Sequence, residues 1–210
     1  MKNFFSMDSK FFTFMGKVAD AVILNLLFLV TSLPIITIGA SLAALYTVTL
    51  KQSEGTSAYI VKEYFHAWKN NFRQSTLLWI FSLIVYALLF MNLSLKTTGS
   101  ISLLLHGTMV LTLILYTMVL LYAFPLLAKF NNTLKHTIVN ALFLSIRHFL
   151  TTCMLLGTTF FFVFITVFSP QSLFEPMIVA WMLLLFAFIA RMQSEFLNRV
   201  FTRYLPQTEV

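Results

Sequence analysis

The side chains able to do chemistry are few. Over 210 residues the chain carries seven Asp and Glu, four His and one Cys, so spacing decides what they could do. His66, His106, His136 and His148 have no His-x-x-x-His relation, and Cys153 has no Cys-x-x-Cys partner, which leaves no zinc-type ligand set. The six glycines form no G-x-x-x-x-G-K-[ST] run, so that phosphate-cradling loop is excluded. Serines are plentiful, but there is no G-x-S-x-G elbow and a nucleophile would lack an assigned base. The expectation is a non-enzymatic chain with no catalytic, cofactor-binding or metal-binding residue. Cys153 lies inside an apolar run, where it excludes an intramolecular disulfide and reads as a buried, inert thiol.

What surrounds these residues explains their scarcity. The chain is 59% hydrophobic and 10% charged, against about 45–50% and 25% in soluble domains. Charge-free stretches run from Ala21 to Leu50, Gln74 to Leu95, Thr97 to Ala128, His148 to Phe174 and Pro176 to Ala190, most of them meeting the roughly 20 residues that a hydrocarbon core requires. The last reaches that length if Glu175 and Arg191 snorkel into the headgroups. The net charge of +7 comes from 14 Lys and Arg scattered in ones and twos near the ends of apolar stretches. That pattern suits membrane orientation, and no basic stripe or recognition motif points to nucleic acid. A cleaved signal peptide at Ser41-Leu42-Ala43 is disfavoured, because the preceding segment is long and aromatic and the chain stays hydrophobic beyond it.

The expected architecture is an all-α, polytopic transmembrane bundle of about six membrane helices in one domain, with amphipathic helices on the membrane surface. Residues 1–17 place Phe4, Met7, Phe11, Phe14 and Met15 opposite Ser6, Lys10, Thr13 and Lys17, an interfacial pattern. A second surface helix is expected over 57–73, with Ile60, Tyr64, Phe65, Trp68 and Phe72 opposed by Lys62, Glu63, His66, Lys69, Asn70 and Arg73, and a third over 133–148. Membrane helices are expected over 74–95, 102–128, 149–168 and 174–195, with a cytoplasmic tail over 196–210. The shared ending of the two later surface helices, Lys69-Asn70-Asn71-Phe72 and Ile146-Arg147-His148-Phe149, hints at a weak internal repeat.

Residues 18–50 decide the topology. Ala21 to Leu50 would make about 45 Å of helix, too long for one untilted crossing. Pro34 and Gly39 break it, and the expectation is a hairpin of two helices rather than one kinked helix. A hairpin puts both termini and 13 of the 14 basic residues on the cytoplasmic side, leaving Lys96 outside. Asn25, Thr31 and Ser32 can hydrogen-bond within or between helices at the break. Of the ionisable residues near membrane helices, Asp20 is expected to pair with Lys17, and Arg191 with Glu195.

Asp20, Asn25-Leu26-Leu27, Leu33-Pro34-Ile35, Thr37-x-Gly39, Ala44-Leu45-Tyr46 and Lys51, followed by an aromatic helix to Asn71-Phe72, resemble the YesL family of bacterial membrane proteins. Pro125-Leu126-Leu127-Ala128 extends the resemblance more loosely. It implies a bacterial cytoplasmic membrane location and an association with carbohydrate uptake or sensing, with the lipid bilayer and subunits of a sugar ABC transporter or a sensor kinase as partners. It implies no established activity and no cofactor. Asp20, Asn25, Pro34, Thr37, Gly39, Tyr46, Lys51 and Phe72 are therefore the candidate functional or structural motif. The competing reading is a small-solute permease with its pathway at the Pro34–Gly39 break.

Overall fold

A computed structural model describes residues 10–56, 59–93, 100–130 and 132–204, and among them every element is helical. The helices are α1 (Lys10–Ser32), α2 (Ile38–Ser53), α3 (Ile60–Leu93), α4 (Ser100–Lys129), α5 (Leu134–Arg147), α6 (Phe149–Phe168), α7 (Gln171–Ala180) and α8 (Phe186–Phe201). A 3-10 turn over Ile35–Thr37 joins α1 to α2, and a π-helical turn over Trp181–Leu185 joins α7 to α8. Six helical stretches are long and apolar enough to cross a membrane: Phe14–Ser32, Ile35–Ser53, Ile60–Asn92, Leu104–Lys129, Phe149–Phe168 and Gln171–Phe201.

The distribution of side chains is that of a multi-pass membrane protein. Polar Asn25, Ser41, Thr49, Ser82, Thr152, Gln193 and Ser194 are buried, while Phe90, Leu104, Phe160 and Phe168 are largely exposed on the outside. Water would reverse that arrangement. Hydrocarbon favours it, because lipid rewards internal hydrogen bonding and is indifferent to outward-facing apolar groups.

The chain reverses at Pro34. In an uninterrupted helix Thr31 and Ser41 would lie about 15 Å apart along the axis, yet the Ser41 hydroxyl donates to Thr31 Oγ1 at 2.9 Å. Pro34 itself is extended, with φ −74° and ψ 116°. α2 then runs through the middle of the bundle, packed on α1, α3, α4 and α8. It can do so because Gly39, Ala40, Ser41, Ala43 and Ala44 give it a slim, buried surface. Closest of all is Gly39, where an added Cβ would meet the Ser75 carbonyl and lie 2.5 Å from Trp79 Cβ.

Several expected boundaries change. Residues 57–73 and 74–95 do not form separate helices: α3 is continuous over Ile60–Leu93, since no proline or glycine interrupts the run and amphipathicity alone does not end a helix. The expected interfacial helix over 1–17 falls partly outside the described residues, and from Lys10 onward it is the start of α1. The membrane helix expected over 174–195 starts earlier, because α7 begins at Gln171 directly after Ser169-Pro170. At the other end, the tail expected from 196 begins as the last turns of α8, with Leu197, Val200 and Phe201 buried; residues 205–210 lie outside the described residues. Cys153 is exposed on the apolar exterior of α6 rather than buried. The inward face of α6 is the one carrying Thr152 and Leu155, and Cys153 lies off that face.

The ends of the helices sort into two groups. Lys129, at the end of α4, donates to Glu54 just after α2 and to Asn198 in the last turn of α8, both at 2.8 Å. Lys51 of α2 lies 3.5 Å from Glu63 in the first turn of α3, and His148, which separates α5 from α6, bonds to Tyr204 after α8. One end of the bundle therefore gathers the ends of α2, α4 and α8, the starts of α3 and α6, and α5.

The Gly39 contact gives a test with opposite signs at two glycines. In a helix interior Gly→Ala ordinarily stabilises by about 0.5–1 kcal/mol. Gly157→Ala, where nothing lies within 4 Å of the new methyl group, should raise the unfolding midpoint of the detergent-purified protein or leave it unchanged. Gly39→Ala should lower it, through a stability loss of roughly 1–3 kcal/mol typical of overpacking. A thermal-shift series on both variants checks this.

Candidate functional site

The buried polar side chains converge on the seam where α8 meets α1, α2 and α6. Asn25 is fully buried in α1. Its amide nitrogen donates to the carbonyls of Trp181 at 2.9 Å and Met182 at 2.7 Å, and its amide oxygen accepts from the Ala187 N–H at 3.0 Å. A π-helical turn shifts the i→i−4 ladder by one residue and leaves backbone groups without their usual partners. Asn25 meets these groups with both donor and acceptor, so one side chain closes the defect.

About two turns further along the chain in α2 and α8, the Tyr46 hydroxyl donates to Gln193 Oε1. Gln193 Nε2 in turn donates to Thr159 Oγ1 of α6 at 2.8 Å, with the Leu155 carbonyl at 3.3 Å. Thr49 and Ser194 share a hydroxyl–hydroxyl bond of 2.7 Å. On the α4–α6 side Tyr122 bonds to Thr152 at 3.1 Å, and the Thr152 hydroxyl reaches the Ser145 carbonyl at 2.8 Å. Each pair joins two helices through neutral groups. Such a network can hold a bundle in register but has no ionised nucleophile or base.

The motif residues divide accordingly. Asn25, Thr37, Gly39 and Tyr46 lie in the interior network or at the turn that supports it. The Thr37 hydroxyl lies 2.7 Å from both the Thr31 and Pro34 carbonyls, and the Trp79 indole N–H donates to the Ile35 carbonyl at 2.8 Å. Thr31 Oγ1 also lies 2.6 Å from the Tyr64 hydroxyl. Asp20, Lys51 and Phe72 lie elsewhere. Asp20 is half-buried on α1, and among the described residues no ion pair links it to Lys17, against expectation. Lys51 is in its pair with Glu63, and Phe72 stacks edge-on against Trp68 with ring centroids 4.8 Å apart. The expected Arg191–Glu195 pair is present at 3.5 Å.

Gln193, Ser194, Thr49, Tyr122 and Thr152 escaped the sequence reading. Gln193-Ser194 carried a usable signal, two adjacent polar residues inside an apolar helix, but Arg191 and Glu195 on either side disguise them as a helix end. Among the described residues, no three His, Cys, Asp or Glu side chains converge on a point that could hold a metal ion.

Fold and interior together define a polytopic α-helical membrane protein whose interior polar network joins helix to helix, while the buried hydroxyls of Ser32, Ser75 and Thr76 have no hydrogen-bond partner. Residues 21–93, from the middle of α1 to the end of α3, match the family described as "Protein of unknown function, DUF624". No curated protein and no solved structure matches the chain.

Tyr46→Phe leaves Gln193 Oε1 without its donor, and Gln193→Leu leaves the Tyr46 hydroxyl without its acceptor. Each should lower stability by about 1–3 kcal/mol. The double variant should cost less than the sum of the two, with a coupling on the order of 1 kcal/mol. A double-mutant cycle by denaturant unfolding in detergent measures it.

Proposed function

We propose that the protein is a non-enzymatic accessory of a bacterial plasma membrane, working beside carbohydrate-uptake or sensing machinery. The observation that carries this reading is where polar groups are spent. Inside the bundle Asn25, Tyr46, Thr49, Gln193 and Ser194 satisfy one another and the backbone, which suits a scaffold better than a catalyst. The unspent charge lies at the end where α2, α4 and α8 finish, on the exposed Lys62, Lys69 and Arg73 of α3 and on α5. The positive-inside bias favours placing that end in the cytoplasm, with both termini. The resemblance to the YesL family supplies the carbohydrate association, and subunits of a sugar ABC transporter or a sensor kinase are the partners it suggests.

The packing at the Pro34 turn weighs against a permease there. Gly39 lies against Ser75 and Trp79 with no room for a methyl group, and Thr31, Thr37 and Ser41 are bonded to one another or to the backbone.

Two measurements test the proposal. Reporter fusions after Thr56, Asn132 and Tyr204 should all be active as cytoplasmic reporters and silent as periplasmic ones; the opposite result would reverse the orientation. A photo-crosslinking residue at Lys69, on the exposed polar face of α3, should capture a transporter or sensor subunit in cells grown on an oligosaccharide. Recovering only lipid and self-adducts would count against a partner on that face.

A further inference from the structure

A second feature lies away from the interior network. Between the end of α4, α5 and the last turn of α8 is a cavity of about 320 Å³, lined by Leu126, Phe130, Val139, Phe143, Phe201 and Tyr204, with Asn140 among its few polar contributors. That volume is within the range of small-molecule sites, about 300–1,000 Å³. Its position sets its access. Val139 and Phe143 line the cavity and are also 55% and 66% exposed, and Leu142 and Ile146 continue the same outward apolar face of α5. A helix with such a face beside a membrane bundle rests it in the interfacial acyl region, so the cavity opens toward lipid.

Basic side chains flank one end of the cavity, just beyond its lining. Tyr204 forms its wall there, with the Arg147 guanidinium 5.7 Å from its ring centroid and His148 Nε2 2.9 Å from its hydroxyl. His136, Asn140, Phe143 and Arg147 follow one another at helical spacing on α5, so Arg147 stands one turn beyond the lining residues. The His148 imidazole is pushed below its ordinary pKa by burial first and then by the neighbouring Arg203 and Arg147, a sign of the positive field there. No acidic group answers it among the described residues. Glu54, Glu63 and Glu195 pair with Lys129, Lys51 and Arg191, while Asp20 and Glu175 belong to α1 and α7.

We propose that this groove binds an anionic phospholipid, with an acyl chain against Phe130, Val139, Phe143 and Phe201 and the phosphate held by Arg147, Arg203 and His148. A neutral lipid would fill the apolar part and leave the cations unanswered. A soluble anion would satisfy the cations without using the groove. Only a lipid with a charged headgroup matches both halves at the interface where the site opens, and basic pockets between helices at the membrane surface are suited to such headgroups.

Native mass spectrometry on the full chain in detergent tests this, using phosphatidylglycerol and phosphatidylcholine with identical acyl chains and, separately, glycerol 3-phosphate. Phosphatidylglycerol should be retained more strongly than phosphatidylcholine. Arg147→Gln and Arg203→Gln should each weaken that preference roughly five-fold, the effect of one basic residue at an anionic surface. Both side chains are exposed, so the fold should survive. Val139→Trp, which fills the groove from its open side, should reduce retention of both lipids. Bound phosphatidylglycerol should also raise the His148 pKa, read by NMR of the labelled imidazole. Equal retention of the two lipids, no effect of either arginine variant, an unmoved His148 with lipid bound, or glycerol 3-phosphate competing as well as the whole lipid would each overturn the assignment.

Discussion

Inside hydrocarbon a backbone N–H or C=O has no water to turn to, so each interruption of a helix must be repaired by another part of the protein. Two such interruptions in this chain lie at Pro34 and at Trp181–Leu185. The repairs fix the tertiary arrangement. The Trp79 indole reaches from α3 to the Ile35 carbonyl, and the Thr37 hydroxyl sits between the Thr31 and Pro34 carbonyls. Asn25 spends both donor and acceptor capacity on Trp181, Met182 and Ala187. A primary amide is the smallest side chain offering two donors and an acceptor. A hydrophobic residue at position 25 would leave three backbone groups of the π turn unanswered in the least forgiving solvent.

The same constraint explains why α2 is central. A helix surrounded by others can carry polar side chains because each finds a partner on a neighbouring helix, as Tyr46 does in Gln193 and Thr49 in Ser194. Close approach supplies the dispersion contact that apolar burial cannot supply in lipid, where no hydrophobic gain accompanies association. Gly39, Ala40, Ala43 and Ala44 provide that approach, and it is what brings Trp79 within reach of the turn carbonyl. The slim helix and the repaired turn depend on each other.

Much of this was legible in the residues and some was not, for identifiable reasons. Uninterrupted apolar length revealed the membrane helices, and Pro34 with Gly39 revealed the reversal, because each acts through its own backbone. Asn25 and Tyr46 stood out by type, but their partners lie some 150 residues away in sequence, where no local pattern points back to them. The π turn is written in Trp181-Met182-Leu183-Leu184-Leu185, an apolar run with no breaker, so its presence follows from tertiary packing. The charges of α3 stop at Arg73 and suggest a boundary there, although continuity is a backbone property that charge does not govern. The cationic groove needed the end of α8 as a wall, and Phe201 and Tyr204 lay in what reads as a polar tail.

These long-range pairings also bear on the segment that matches a family. Residues 21–93 contain Asn25, Pro34, Thr37, Gly39, Tyr46, Lys51 and Phe72. The Pro34 turn is repaired within that segment, by Trp79 and Thr37, and Lys51 meets Glu63 there as well. Asn25 and Tyr46 are answered only by α8 and the π turn before it. Taken alone in a membrane, α1 to α3 would leave an amide and a phenol facing lipid, which is costly for groups whose partners are missing. In this chain the matched segment is therefore an incomplete core, completed by the later helix that presents hydrogen-bonding groups opposite positions 25 and 46. The π turn and Gln193 answer those two positions, and through them the C-terminal helices are held to the matched segment.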